Sequence, residues 1–348
     1  MKSEFFCHFI FFFSTFASKS IAMNDYLSII KEPIASELGE FTVMFNAALE
    51  HDNGILRQAL EYIKQRDGKR MRPILTLLVA KLYGGVTDAT QRAAIGLEML
   101  HTATLVHDDV VDESSTRRGQ ASVNAIYDNK IAVLVGDYIL STALINVSDS
   151  NDIEIIRCLS ELGQALSDGE ILQLSSNGSD SISEEAYYEV IKKKTAALFE
   201  VASGMGAMSV KAPIESIKKA RSFGQKIGMI FQIRDDIFDY YDSKEIGKPT
   251  GNDMLEGKLT LPAIYAVLSS DNKEMKDIAM AVKARRATAA EIDRLIEFTK
   301  EQGGIEYAER KMLEIRDDAA SFIENEICDA DMKKAFTAYL DYVIERRL

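Results

Sequence analysis

The sequence predicts an all-α protein built as one large helical bundle. Apolar residues recur at i, i+3, i+4 and i+7 through most of the chain, which is the spacing of one helix face. Only five prolines interrupt 348 residues, and no alternating run of Val, Ile and Thr reads as a strand. In chain order, Asn24 offers an N-cap for the amphipathic stretch DYLSIIKEPIASEL. Helical periodicity then covers residues 34–50, 69–83, 89–112, 121–147, 152–174, 184–208 and 214–241. Several of these stretches are apolar on most faces, which predicts burial at the centre of a bundle. The breaks are short: Gly84-Gly85, Ser114 to Gly119, Ser148 to Asn151, Asn177-Gly178 and Lys211 to Pro213. A longer polar loop, 242–258, carries Gly247, Pro249, Gly251 and Gly257, and more charged helices follow at 259–269, 273–284, 288–302, 304–326 and 330–346. With no tandem repeat and no linker, residues 23–348 read as one domain.

Composition narrows the function classes. The chain is 47% hydrophobic and 27% charged, enough for a large core, and its net charge of −13 argues against a nucleic-acid surface. Cys7, Cys158 and Cys328 have neither paired nor metal-ligand spacing, as in a reduced cytoplasmic protein. Residues 1–22 hold a Phe-rich run too short to span a bilayer, so no stable membrane insertion is expected. A start codon assigned too early, with Met23 the true start, is the preferred reading of that leader. A secretory signal and a membrane-associating segment are the alternatives.

Two aspartate clusters of identical spacing carry the chemistry: Asp108, Asp109 and Asp112, and Asp235, Asp236 and Asp239. On a helix, positions i, i+1 and i+4 fall within about 100° of arc. Like charges set so close repel unless a cation sits among them. All-oxygen ligands without His or Cys point to Mg²⁺, which takes one or two carboxylates and leaves its other positions to water and phosphate. Basic residues surround both clusters. Arg117 and Arg118 follow the first, in a form suited to bidentate phosphate pairing. Lys69 and Arg72 stand where a loop becomes a helix, itself an anion-binding position, and His101 precedes Asp108 by seven residues on the same face. Lys194 and Thr195 end a run of three lysines, Gln232 leads into the second cluster, and Lys248 and Lys258 sit among glycines in a loop able to close over an anion.

The ordered set GKRMRP, HTATLVHDDVVDESSTRRG, VGDYIL, KKKT, GMIFQIRDDIFDY and GKLTLP resembles the all-trans polyprenyl diphosphate synthases over roughly residues 30–345. That resemblance implies an isoprenoid-synthase bundle around a central cavity, a homodimer, and about three Mg²⁺ ions per site. It implies that Asp108, Asp112, Asp235 and Asp239 hold metal, with Asp109 and Asp236 assisting. Arg117, Lys194, Thr195, Gln232, Lys248 and Lys258 would meet the allylic diphosphate, and Lys69, Arg72, His101 and Arg118 the isopentenyl diphosphate. Lys194 and Thr195 would also act in catalysis, Thr195 by stabilising the allylic carbocation.

Chain length would be gated by Ala103 and Thr104, five and four positions before Asp108. Both are small, which suggests a long tunnel floored by Met99, Leu100 and the 130–147 helix, and a product near C40 for quinone side chains. Ideal helix geometry supports Thr104, about 40° from Asp108, better than Ala103, about 140° away. Plain core packing at both positions is the alternative. A short-chain farnesyl or geranylgeranyl synthase shares the chemistry. A terpene cyclase would not need the GKRMRP pocket, a non-catalytic subunit should lose aspartates, and a di-iron bundle would want Glu-x-x-His pairs.

Overall fold

The computed structural model describes residues 23–65, 68–117, 119–177, 181–241 and 250–346. The leader 1–22, Arg118 and Lys248 lie outside the described residues.

Helix α1 (Met23–Lys31) runs through a 3-10 turn into α2 (Ala35–Ala48), so Asn24 sits within the first helix rather than capping it. There follow α3 (Gly54–Lys64), α4 (Met71–Tyr83) and α5 (Asp88–Val111), the last started by a Thr87/Thr90 capping box. A two-residue hairpin, β1 (Thr116–Arg117) with β2 (Gln120–Ala121), turns the chain into α6 (Val123–Tyr127), α7 (Asn129–Ser148) and α8 (Ile153–Asn177). Helix α9 (Glu184–Ile191), a π turn (Lys192–Ala196) and α10 (Ala197–Ser209) lead to α11 (Ile214–Phe238). Beyond the loop come α12 (Asn252–Leu255), α13 (Leu261–Leu268), α14 (Lys273–Lys283), α15 (Ala289–Glu301), α16 (Gly304–Glu326) and α17 (Ala330–Glu345).

The core forms where α5 lies along α7 and where α10 lies along α4 and α11. Two glycines permit the closest approaches. A Cβ on Gly136 of α7 would stand 2.2 Å from His107 Nε2, and one on Gly228 of α11 would stand 2.5 Å from the Ala196 Cα in the π turn.

Four differences from the sequence reading have physical causes. The 121–147 stretch breaks at Asp128, which takes φ 82° and accepts the Ile131 N–H at 3.0 Å to start α7. The 184–208 stretch is continuous helix in pattern, but a wider π turn occupies the lysine run, and such turns often mark functional sites. Helix α3 falls in the span between 50 and 69, to which no helix was assigned although Asn53 supplies its N-cap, and strands of two residues are too short to show alternation.

Helix α7 is long and apolar enough, by length and composition, to cross a membrane. Its Leu134 and Ile145 are 63% and 61% exposed, leaving an apolar stripe on the outside of the bundle.

Candidate functional site

The first aspartate cluster ends α5, and its three carboxylates do different jobs. Asp109 is almost wholly buried; its Oδ1 accepts Arg117 Nε at 2.6 Å, and its backbone oxygen accepts Asn124 Nδ2. It ties the hairpin to the helix end. Asp108 and Asp112, one turn apart, remain on the site side. Burial pushes the Asp108 carboxyl up to about 6, with Lys194 and Arg117 pulling down and Glu170 and Asp112 pushing up. Lys194 itself pairs with Glu170 at 2.5 Å and reaches Gln173.

The second cluster ends α11. Asp235 pairs with Arg346 at 2.5 Å, and the same guanidinium lies 3.6 Å over the Phe231 ring. Asp236 is buried, taking Tyr187 Oη at 2.6 Å on one oxygen and Gln232 Nε2 at 2.8 Å on the other. Gln232 in turn accepts the Thr195 hydroxyl at 2.6 Å. Asp239 spends its two oxygens on the Asn252 and Asp253 N–H groups, capping α12. Of the four expected metal ligands, it is the one whose oxygens the fold uses in this way. Asp253 stands close by, its carboxyl pushed up to about 7 by burial and by Asp239. Lys258 connects the two halves electrostatically. Burial alone would lower its ammonium pKa, but Glu256 at 2.5 Å, Asp253 and Asp112 hold it above the usual value.

A third group gathers at the start of α4 and the end of α17. Arg72 lies over the Phe199 and Phe231 rings at 4.8 and 6.0 Å, and Lys69 over Tyr342 at 5.4 Å. Arg72 and Arg346 thus share Phe231. His101 is half-buried on α5, two turns before Asp108.

Tyr187, Asp253, Glu170 and Arg346 are site residues that the sequence reading missed. Glu170 and Gln173 had a signal, two polar residues three apart in an apolar helix. Arg346 and Tyr187 belong to none of the motifs that reading used, and Asp253 lies in a loop read for its glycines, its proline and its two lysines.

The acidic residues fit a hard cation. Among the described residues no three ligating side chains already converge on a point. A metal would therefore take one or two carboxylates and complete its shell with water and phosphate, the habit of Mg²⁺. Asp108 suits this with Asp112 one turn away, since Asp112 raises its cost of ionising and a divalent charge would remove that cost.

Of two cavities, the first is lined by Asp236 of the second cluster and the second by His107, beside Asp108 in the chain. One, about 170 Å³, is lined by Lys194, Thr195, Gln232, Asp236 and Lys258. The other, about 870 Å³, lies between α5, α7 and α8 and is lined by Leu100, Ala103, Thr104, Leu140, Gln164 and Ile171. Both gate positions reach it, Ala103 included. Met99 does not line it; it is buried in the core, where Asn146 approaches its sulfur.

The model of the polyprenyl synthetase family matches residues 53–299, and the chain belongs to that family of prenyltransferases. It is 32% identical to the octaprenyl diphosphate synthase of Escherichia coli K12 over 86% of this chain and 92% of that protein. A solved geranylgeranyl pyrophosphate synthase from Bacteroides thetaiotaomicron is 49% identical, with a TM-score of 0.82 over 92% of this chain and all of that one. A polyprenyl synthase from Caulobacter crescentus, solved with calcium and isoprenyl diphosphate, is 29% identical with a TM-score of 0.85, over 92% of this chain and 98% of that one.

Proposed function

We propose that this prenyltransferase is a long-chain all-trans polyprenyl diphosphate synthase. It condenses isopentenyl diphosphate repeatedly onto an allylic diphosphate and releases a product near C40 for a quinone side chain. The observation that supports the length is the open groove of about 870 Å³ between α5, α7 and α8, where Ala103 and Thr104 are small and His107, Glu161, Ser167 and Asp168 share the lining.

Asp108 and Asp112 on one side and Asp235 on the other would hold Mg²⁺, about three ions in all, with Asp239 completing the second group through lone pairs its backbone bonds leave free. When bound, these ions neutralise the leaving diphosphate so that the allylic C–O bond can ionise. Arg117, Lys194, Gln232, Lys248 and Lys258 orient the allylic diphosphate and spread its charge. Lys69, Arg72, His101 and Arg118 hold the isopentenyl diphosphate with its double bond turned to the cation. Thr195 offers oxygen lone pairs to the allylic cation, and the departing diphosphate takes the proton lost from the condensed product. Water must be excluded during the reaction, since it would quench the cation to an alcohol.

The calcium and isoprenyl diphosphate in the Caulobacter relative support a divalent cation and a diphosphate here. The apolar stripe on α7 supports a homodimer. That helix packs against α5, with Gly136 against His107, which supports a place in the bundle over a span of a bilayer. The unpaired cysteines, Cys158 buried and Cys328 exposed, suit the cytoplasm.

A shorter, geranylgeranyl-type product is the second reading, favoured by the 49% identity to the Bacteroides enzyme. The test of the chemistry is incorporation of labelled isopentenyl diphosphate onto an allylic primer with Mg²⁺. Asp108→Asn should abolish it, and undiminished incorporation by that variant would remove Asp108 from the site.

A further inference from the structure

Four side chains form a continuous hydrogen-bonded line across the bundle, from α9 through α11 to the π turn. Tyr187 Oη donates to Asp236 Oδ2 at 2.6 Å. Gln232 Nε2 donates to Asp236 Oδ1 at 2.8 Å, and Thr195 Oγ1 donates to Gln232 Oε1 at 2.6 Å. The direction of each bond follows from the others. An amide has one donor end and one acceptor end. Burial pushes the Asp236 carboxyl well above the usual carboxylate range, and Tyr187 and Gln232 donate to its two oxygens; with its NH₂ on Asp236, Gln232 turns its carbonyl toward Thr195. That carbonyl can only accept, so the Thr195 hydroxyl spends its one proton there.

We propose that Tyr187 is a positioning residue for this prenyl transfer: acting through Asp236 and Gln232, it fixes Thr195 as an acceptor-only oxygen at the ionising centre. The inference rests on the prenyl-transfer reading above. It assigns Tyr187, and the second aspartate of the second cluster, to orientation.

The surroundings suit that role. Tyr187, Thr195, Gln232 and Asp236 all line the 170 Å³ cavity beside Lys194 and Lys258. Tyr187 and Asp236 are both buried, which strengthens the bond between them. The ring of Tyr187 is steadied edge-on by Tyr188, with centroids 5.4 Å apart. A hydroxyl with its proton committed presents lone pairs to a developing cation and has no donor to offer the diphosphate. Losing the phenol frees one Asp236 oxygen. The carboxylate can then rotate, Gln232 loses its fixed orientation, and Thr195 can turn its proton into the site.

The test uses the full chain and labelled isopentenyl diphosphate with Mg²⁺ and an allylic primer. Tyr187→Phe should lower kcat about tenfold or more, the scale of a lost hydrogen bond to a charged group. It should leave KM for both diphosphates within about twofold, because uniform binding is untouched. The deciding readout is a double-mutant cycle. In a Thr195→Ala background, Tyr187→Phe should cost nothing further, since the group it orients is gone.

Losses that multiply independently would overturn the proposal, as would a change confined to KM or a fully active Tyr187→Phe. Thermal unfolding shows whether each variant is folded. Should Tyr187→Phe not fold, Tyr187→Met carries the same cycle, because it occupies the site with no O–H to give Asp236. Its loss must likewise vanish in the Thr195→Ala background. A wild-type chain that makes no prenyl product sinks the prenyl-transfer reading, whereas a working wild type with independent losses sinks the relay alone.

Discussion

Raising the pH through the titration of Asp108 should loosen the fold and tighten metal binding together. The Asp108 carboxyl sits near 6, about two units above its ordinary 3.8, chiefly because burial disfavours its charge. A group whose pKa is higher folded than unfolded keeps an extra proton in the folded state between the two values. Its contribution to stability is therefore full below about pH 4 and lost as pH rises through about 6. At about 1.4 kcal/mol per unit, the loss is about 3 kcal/mol.

A cation held by Asp108 and Asp112 needs the ionised form, so its binding must expel that proton. Calorimetric titration of Mg²⁺ and inorganic diphosphate at pH 6, in two buffers of different ionisation enthalpy, counts the protons released. Thermal unfolding at pH 5.5 and 7.5 should show the larger metal-induced rise in Tm at the higher pH. Asp253, pushed up to about 7, also titrates in this range, so Asp108→Asn is the control that isolates the first cluster. That variant should release fewer protons than wild type and lose its metal response at pH 7.5. Proton release identical in the two proteins, or metal affinity flat from pH 5.5 to 7.5, would refute the assignment of Asp108.

Three other outcomes test the architecture. Ala103→Tyr places a ring in the 870 Å³ cavity and should shorten the products on reversed-phase chromatography; an unchanged distribution removes Ala103 from the gate. Gly228→Ala puts a methyl 2.5 Å from the Ala196 Cα, forcing α11 off the turn that carries Thr195. Overpacking of that kind costs about 1–3 kcal/mol, so Tm and turnover should fall together. Leu134→Glu plants a charge on the exposed stripe of α7 and should yield monomers in sedimentation, whereas an unaltered mass would place the contact elsewhere.

Much of the fold was legible because the helices are long and their apolar faces periodic. What periodicity could not show was local. Asp128 breaks one stretch by adopting a positive φ, and the π turn at Lys192–Ala196 keeps a helical pattern while widening the coil. The aspartates were legible by spacing, but their division of labour was not. Spacing puts Asp109 beside Asp108, yet only tertiary packing brings Arg117 against it. The same holds for Asp236, claimed by Tyr187 and Gln232, and for Asp239, claimed by the α12 backbone.

Ala103 reverses the lesson. Its angle on an ideal helix turned it away from Asp108, but the cavity extends between α7 and α8 to meet that face as well. Arg346 was invisible because nothing near the chain end announces that it returns to Asp235, more than a hundred residues away.

The most direct test is to size the products made from farnesyl diphosphate, labelled isopentenyl diphosphate and Mg²⁺. A ladder ending near C40 is the predicted result. Products no longer than C20 would contradict the long-chain claim, and the absence of any elongated prenyl diphosphate would contradict the account of the site itself.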